Sequence, residues 1–263
     1  MTSPSPSEPL LRVERVSKRF GRVVALEDVS LTAEAARVTC ILGDNGAGKS
    51  TLIRILSGVH SPSSGRLLLD GREMIPRSPA DSLAQGISTV HQDLGLIPLM
   101  SIWRNFFLGT EPVHGVGPFR RIDVEQCRST VRESLAVLGI EVRDPDQPAG
   151  TLSGGERQCV AIARAIHLGA RILILDEPTA ALGVKQAAIV LRIIVRARER
   201  GVAVIFVTHN PRHAHAAGDL FVLLRQGRVA GIWSRDAIGL EQLAEEMAGG
   251  ASTVTHVDES DPT

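Results

Sequence analysis

Residues 43–50 read Gly43-Asp44-Asn45-Gly46-Ala47-Gly48-Lys49-Ser50, the spacing G-x-x-x-x-G-K-S. Glycines let a backbone curl until successive N–H groups point at one anion, and a helix starting there adds its positive end. In such a loop the lysine reaches the β- and γ-phosphates of a nucleotide, and the serine hydroxyl ligates Mg²⁺. A Gly-rich turn that merely precedes a helix has a similar composition, so the flanks decide. Val38 to Leu42 is a compact apolar run, and Leu52 to Leu56 carries apolar residues at helical spacing before Gly58. That is the strand–loop–helix order the chemistry requires. The chain holds three lysines, Lys18, Lys49 and Lys185, all its other basic residues being arginine. A lysine kept inside the loop fits a compact charge among phosphates.

Other apolar runs end in residues of complementary chemistry. Ile172-Leu173-Ile174-Leu175 reads as a buried strand and is followed by Asp176 and Glu177. In an open parallel sheet the carboxyl ends of the strands face the ligand crevice, which places this pair beside the phosphate loop. Asp176 could hold Mg²⁺ directly or through water, and Glu177 could orient and deprotonate an attacking water. Strand-end acids also commonly cap the next helix, so the pair gains its meaning from the loop. Val202 to Thr208 delivers His209 in the same way, and Ile87 to His91 delivers Gln92. Either residue alone is usually structural. Leu152-Ser153-Gly154-Gly155-Glu156 is a second small-residue loop opening a helix, able to present N–H groups and a hydroxyl to an anion, or simply to cap the helix.

The elements that must position these residues alternate between strand and helix. Leu10 to Val16 and Val29 to Leu31 are β-rich and separated by a turn at Gly21. Asp123 is placed to cap a helix with Val124, Cys127, Val131, Leu135 and Leu138 on one stripe. Val184 to Arg200 reads as a helix ended by Gly201. The fold class is α/β, with residues from about 93 to 165 helical, without clear strands, and inserted into the core. Of 263 residues 43% are hydrophobic and 22% charged, with 29 basic against 29 acidic, which excludes a disordered chain and argues against a general nucleic-acid coat. The longest apolar runs are strand-sized, too short for a bilayer, and Met1 to Pro6 lacks the basic start and apolar stretch of a signal peptide. Cys40, Cys127 and Cys159 are too scattered for a disulfide framework or a zinc site and are expected as buried free thiols.

The order phosphate loop, Gln92, Leu-Ser-Gly-Gly-Glu, acidic strand end and His209 in one chain resembles the ATP-binding subunit of an ABC transporter, from Leu10 to about Gly250. The resemblance implies a P-loop NTPase (RecA-like) core, an N-terminal antiparallel β-subdomain and an inserted α-helical subdomain at about 93–165. The ATPase domain would occupy 10–250, between a flexible arm at 1–9 and a flexible acidic tail at 251–263. ATP and Mg²⁺ are the implied cofactors. By position Phe20 matches the aromatic that stacks on adenine. Gly43, Asp44, Asn45, Gly46, Ala47, Gly48, Lys49, Ser50 and Thr51 match the phosphate cradle. Ser50, Gln92 and Asp176 match the Mg²⁺ site; Glu177, His209, Lys49 and Gln92 match the catalytic set. Ser153, Gly154, Gly155 and Glu156 form the signature, of which Ser153 and Gly155 match residues that touch the γ-phosphate bound to a partner protomer.

Gln92-Asp93-Leu94, Trp103 to Gly109 and Ala181-Leu182-Gly183-Val184-Lys185-Gln186 are similar to the subgroup serving ribose, xylose and fructose importers. Gly183 stands where family members commonly carry Asp, a departure shared with that subgroup. One set of motifs resembles the single-domain, fructose-type version, which works as a homodimer. The implied partners are a second copy of the chain, integral-membrane permease subunits and, indirectly, an extracytoplasmic sugar-binding protein, with no nucleic acid. The implied place is the cytoplasmic face of the cell membrane. Residues 93 to 109, rich in apolar side chains, are the expected docking site for the permease. An exporter subunit is the nearest rival; ABC ATPases of DNA repair or translation typically carry coiled-coil or zinc insertions, or paired ATPase domains. His213 and His215, two apart, point to different sides of a helix and are expected at a solvated helix start.

Overall fold

Hydrophobic alternation at the N-terminus produces strands β1 (Leu11–Phe20) and β2 (Val23–Ala33), which pair antiparallel around Gly21. The computed structural model describes residues 9–115, 117–141 and 144–249. Most of the arm and all of the acidic tail read from the sequence lie outside the described residues. Both strands run further toward their turn than their apolar segments suggest. The polar stretch Ser17-Lys18-Arg19 lacks the alternation of a half-buried strand, yet Lys18, Arg19 and Phe20 pair with Leu26, Val24 and Val23. After β3 (Val38–Leu42) and α1 (Lys49–Leu56), β4 (Ser64–Leu69) and β5 (Arg72–Met74) complete a four-stranded sheet in the order β2-β1-β4-β5. Asp70 and Gly71 between them both take positive φ, as a two-residue hairpin turn matched to strand twist demands.

The second sheet continues with α2 (Pro79–Ala84), β6 (Ile87–Val90), β9 (Ile172–Asp176), α6 (Val184–Glu199), β10 (Ala203–Val207), α7 (Pro211–Ala217), β11 (Leu220–Arg225), β12 (Arg228–Ser234) and α8 (Leu240–Ala248). Its order is β12-β11-β3-β10-β9-β6, parallel throughout except for the antiparallel edge strand β12. All five residues of β3 and of β10 are buried, as expected of strands covered on both faces. Alternate side chains divide between two cores. Ile41, Ile172, Ile174 and Ile205 join Leu52, Ile53 and the first sheet on one face. Cys40, Leu42, Leu173, Leu175 and Phe206 join the helices on the other.

The insertion contains α3 (Ile102–Phe107), α4 (Val124–Val137) and α5 (Gly154–His167). Asp123 caps α4 through its carboxylate, which accepts from Gln126 N at 3.0 Å, and Cys127, Val131 and Leu135 face inward, as their spacing requires. The insertion is not free of strands: β7 (Val113–His114) and β8 (Arg121–Ile122) pair as a small hairpin. Two-residue strands carry no periodicity from which to read them. The three cysteines are free and buried, and burial pushes the Cys40 and Cys159 thiols up, away from reactivity. Among the described residues no helix is long and apolar enough to cross a membrane.

Asp70 and Arg171 join the first sheet to the second by two hydrogen bonds of 2.7 Å, but both side chains are half exposed. Burial rather than this ion pair therefore holds the layers together. Arg171→Ala should lower the unfolding free energy in urea by no more than about 1 kcal/mol. Ile205→Ala, which hollows the fully buried core between the two sheets, should cost about 2–5 kcal/mol. A larger loss for Arg171→Ala than for Ile205→Ala would contradict the assignment.

Candidate functional site

Parallel pairing brings four strand ends level. Val207 pairs with Ile41 on one side and Asp176 on the other, and Leu175 pairs with Val90. The residues that follow β3, β6, β9 and β10 therefore emerge along one edge of the sheet: Gly43, Gln92, Glu177 and His209.

At β3 the chain turns through Gly43, Gly46 and Gly48 with φ of 142°, 84° and 106°. At Gly48 a Cβ would lie 2.7 Å from Leu26 Cδ2 and 2.9 Å from Ala25 O, so glycine there serves both conformation and close approach. The turn wraps over Lys49, whose ammonium, 8% exposed, donates to the carbonyls of Gly43 at 2.6 Å and Asp44 at 3.0 Å. Neither bond is to a carboxylate, so the charge has dipoles as partners and no counter-anion among them. Asp44, Asn45, Gly46, Gly48, Lys49, Ser50 and Thr51 line a cleft of about 370 Å³, closed on its other side by Val23, Val24 and Ala25 of β2 and by Gln226 and Gly227. Ala47 is buried beneath the loop. Phe20 lies outside that lining, half exposed, its ring edge on His60 at 5.3 Å between centroids and the Lys18 ammonium 5.2 Å from its centre.

Asp176 ends β9 with its carboxyl pushed above the usual range, first by burial and then by Glu177 beside it, while His91, Lys49 and Arg54 pull it back. Glu177 takes φ 50°, a costly conformation for a long side chain. Its Oε1 lies 2.9 Å from Nδ1 of His209, and its Oε2 is buried with no hydrogen-bond partner. Gln92 is exposed two residues beyond β6. No cluster of three or more His, Cys, Asp or Glu capable of holding a metal occurs among the described residues. A cation here would need oxygen ligands from a bound phosphate as well as from Ser50 and Asp176, which is the habit of Mg²⁺. The under-compensated acid pair fits a hard cation.

Ser153 caps α5: its hydroxyl accepts from Glu156 N at 3.3 Å while Glu156 Oε2 accepts from Ser153 N at 2.7 Å. Gly154 and Gly155 pack against Leu182 and Gln186 at the start of α6. None of the four lines the phosphate-loop cleft of its own chain. Gly183 caps α6 without a side chain, and a Cβ there would meet nothing within 4 Å. The Asp common at this position would fit.

The apolar segment at 93–109 divides in two. Ile102, Trp103, Phe106 and Phe107 are core, whereas Leu99 is 93% exposed and Ile97 43%. Leu94 and Leu96 line a groove of about 290 Å³ with Ser88, Val90, Ala161 and Arg164. Asn105, 1% exposed, explains how an apolar loop can stand out. Its amide accepts from Ile97 N at 2.7 Å and donates to the carbonyls of Ile97, Met100 and Ser101 at 3.0–3.1 Å. With backbone bonds from Met100 N to Ile97 O, Gly150 N to Pro98 O and Ala149 N to Met100 O, this side chain braces residues 97–101.

Sequence reasoning missed Asn105, the cleft wall at Gln226-Gly227, and the histidines of α7. Gln226 and Gly227 both have positive φ, so an X-Gly hairpin signal was there to find. His213 and His215 do not mark a solvated helix start. His213 Nδ1 lies 2.9 Å from Thr179 Oγ1, and the His215 ring stacks on Phe221 at 6.0 Å. Their partial burial comes from neighbours outside the helix, which helical spacing does not reveal.

The model of the ABC transporter family matches residues 26–180. A ribose import ATP-binding protein of Rubrobacter xylanophilus is 41% identical over 92% of this chain and 47% of its own. The chain thus spans about half the length of that relative. The fructose import ATP-binding protein of Rhizobium meliloti is 39% identical over 84% of this chain and 86% of its own. Among solved structures, a dimeric ATP-binding cassette bound to ADP and phosphate superposes with a TM-score of 0.70 at 25% identity, covering 87% of this chain and all of that one.

Asn105→Ala removes four hydrogen bonds and should lower stability by about 1–3 kcal/mol. Amide hydrogen exchange should accelerate at 97–101 before it does so in β3 or β10; unchanged exchange there would refute the bracing role.

Proposed function

Because the chain belongs to the ABC transporter family, we propose that it is the ATP-hydrolysing subunit of an importer, with a monosaccharide as cargo and residues 10–250 as its ATPase domain. The sugar importers among its relatives support the cargo class. The observation that carries the reading is the row of strand ends in which Lys49, Asp176, Glu177 and His209 share one edge.

The triphosphate lies in the cleft, where the N–H groups of Gly46 to Thr51 and the start of α1 receive its oxygens. Lys49, released from its two carbonyls, meets the β- and γ-phosphates as a counter-charge held ready by the loop. Mg²⁺ would be held by Ser50, Asp176 and Gln92, and would supply neutralisation of charge on the phosphate oxygens. Glu177 takes the proton of the attacking water, while His209 on Oε1 fixes the carboxylate's orientation. His209, mostly exposed, has its other ring nitrogen free to meet the γ-phosphate.

Each site is completed by a second copy. Ser153 and Gly155 open a fourteen-residue helix, and they line no part of their own chain's phosphate cleft. The dimeric cassette among the solved structures supports the pairing. Adenine stacks on the open face of Phe20. Permease subunits dock on Leu99, Ile97 and the adjoining groove, and place the chain at the cytoplasmic face of the membrane; an extracytoplasmic sugar-binding protein serves the same permease. Nucleic acid has no part in this reading.

Glu177→Gln should retain ATP binding, abolish turnover and stabilise the ATP-bound pair. A wild-type hydrolysis rate would remove Glu177 as base. Leu99→Glu should leave the basal hydrolysis of the purified chain intact yet abolish its co-purification with the permease. Unimpaired co-purification would move the docking site elsewhere.

A further inference from the structure

The turn between β9 and α6 bears the catalytic carboxylate in a conformation it does not favour on its own. Glu177 and Ala181 both have positive φ, 50° and 59°, a cost of about 1–3 kcal/mol at each residue. Within the turn only two backbone bonds close, Ala180 N to Glu177 O at 3.0 Å and Leu182 N to Thr179 O at 3.4 Å. From outside, Glu177 N donates to Val207 O at 3.0 Å, which anchors the first residue of the turn and leaves Thr179 to Leu182 to other contacts.

The described residues show two side-chain hydrogen bonds from this turn, and both go to the segment that follows β10. One is the Glu177–His209 pair. The other joins Thr179 Oγ1 to His213 Nδ1 at 2.9 Å, with Thr179 only 5% exposed. His213 is itself firmly placed. Asn210 caps α7, accepting from Arg212 N at 3.0 Å and His213 N at 3.3 Å, while its own N–H donates to Thr208 Oγ1 at 3.1 Å. The segment that supplies His209 is thus locked four residues later to the loop that supplies Glu177. Burial, and then the nearby His209, hold the His213 pKa below its ordinary value against Glu177, which raises it.

We propose that His213 is a positioning residue, which through Thr179 holds the 177–182 turn so that the Glu177 carboxylate stays in register with His209. This rests on Glu177 acting as the base. Neither His213 nor Thr179 lines the phosphate-loop cleft, so their loss acts on the rate of hydrolysis rather than on nucleotide capture.

Hydrolysis by the purified chain, measured with Mg·ATP well below the unfolding midpoint, tests this. His213→Ala and Thr179→Val should each lower kcat by about ten- to a hundredfold, with the KM for ATP within about twofold of the parent. The double variant should be no slower than the slower single one, since both remove the same bond. His213→Asn, whose amide reaches the place of Nδ1, should restore most of the rate. A parental kcat in His213→Ala, additive losses in the double variant, or no recovery with Asn would each overturn the proposal. Glu177→Gln, run alongside, separates the failures. If it is inactive while His213→Ala is fully active, positioning alone is wrong; if it hydrolyses at the parental rate, the assignment of the base falls as well.

Discussion

Everything at the site depends on four parallel strands ending at the same level. Val207 is hydrogen-bonded into register with Ile41 and Asp176 at once, and Leu175 with Val90. A slip of one residue in any of these pairings would turn its buried side chains to the opposite face, exchanging the two cores. The register is therefore fixed by burial along all of β3 and β10 and the first four residues of β9. The phosphate loop, Glu177 and His209 inherit that rigidity although each lies beyond a strand end, while Asp176 closes β9 itself.

What the turns then contribute is strain and polarity that a strand would not tolerate. Lys49 is enclosed with carbonyl dipoles as its partners, Asp176 is half-buried beside a like charge, and Glu177 occupies a left-handed conformation with one oxygen unpaired. Each feature costs stability in the free chain, and each is relieved by an anion, a cation or a water at the same place. The Thr179–His213 bond keeps the strained turn from relaxing.

Much of this could be read from the residues. The phosphate loop, the acidic strand end and His209 are contiguous motifs bounded by apolar runs, and the helix behind Asp123 follows its stripe. The hairpins β4–β5 and β11–β12 escaped notice, although Asp70-Gly71 and Gln226-Gly227 carry the turn chemistry. Asn105 and His213 were not legible for a different reason. Their partners are carbonyls of an irregular loop and a hydroxyl 34 residues away, contacts that no local pattern encodes. Phe20 is picked out only by its position in the family pattern, and the cleft wall comes from Val23 and Val24 across the hairpin.

If the level strand ends form a nucleotide-phosphate site, capture of ATP depends on the Lys49 ammonium. Equilibrium binding of ATP by the purified chain and by Lys49→Ala, each with and without Mg²⁺, tests it most directly. Binding by the parent should be Mg²⁺-assisted, and the variant should lose about a hundredfold or more in affinity, the worth of about two charge-assisted hydrogen bonds. Equal affinity in the two proteins would contradict that dependence.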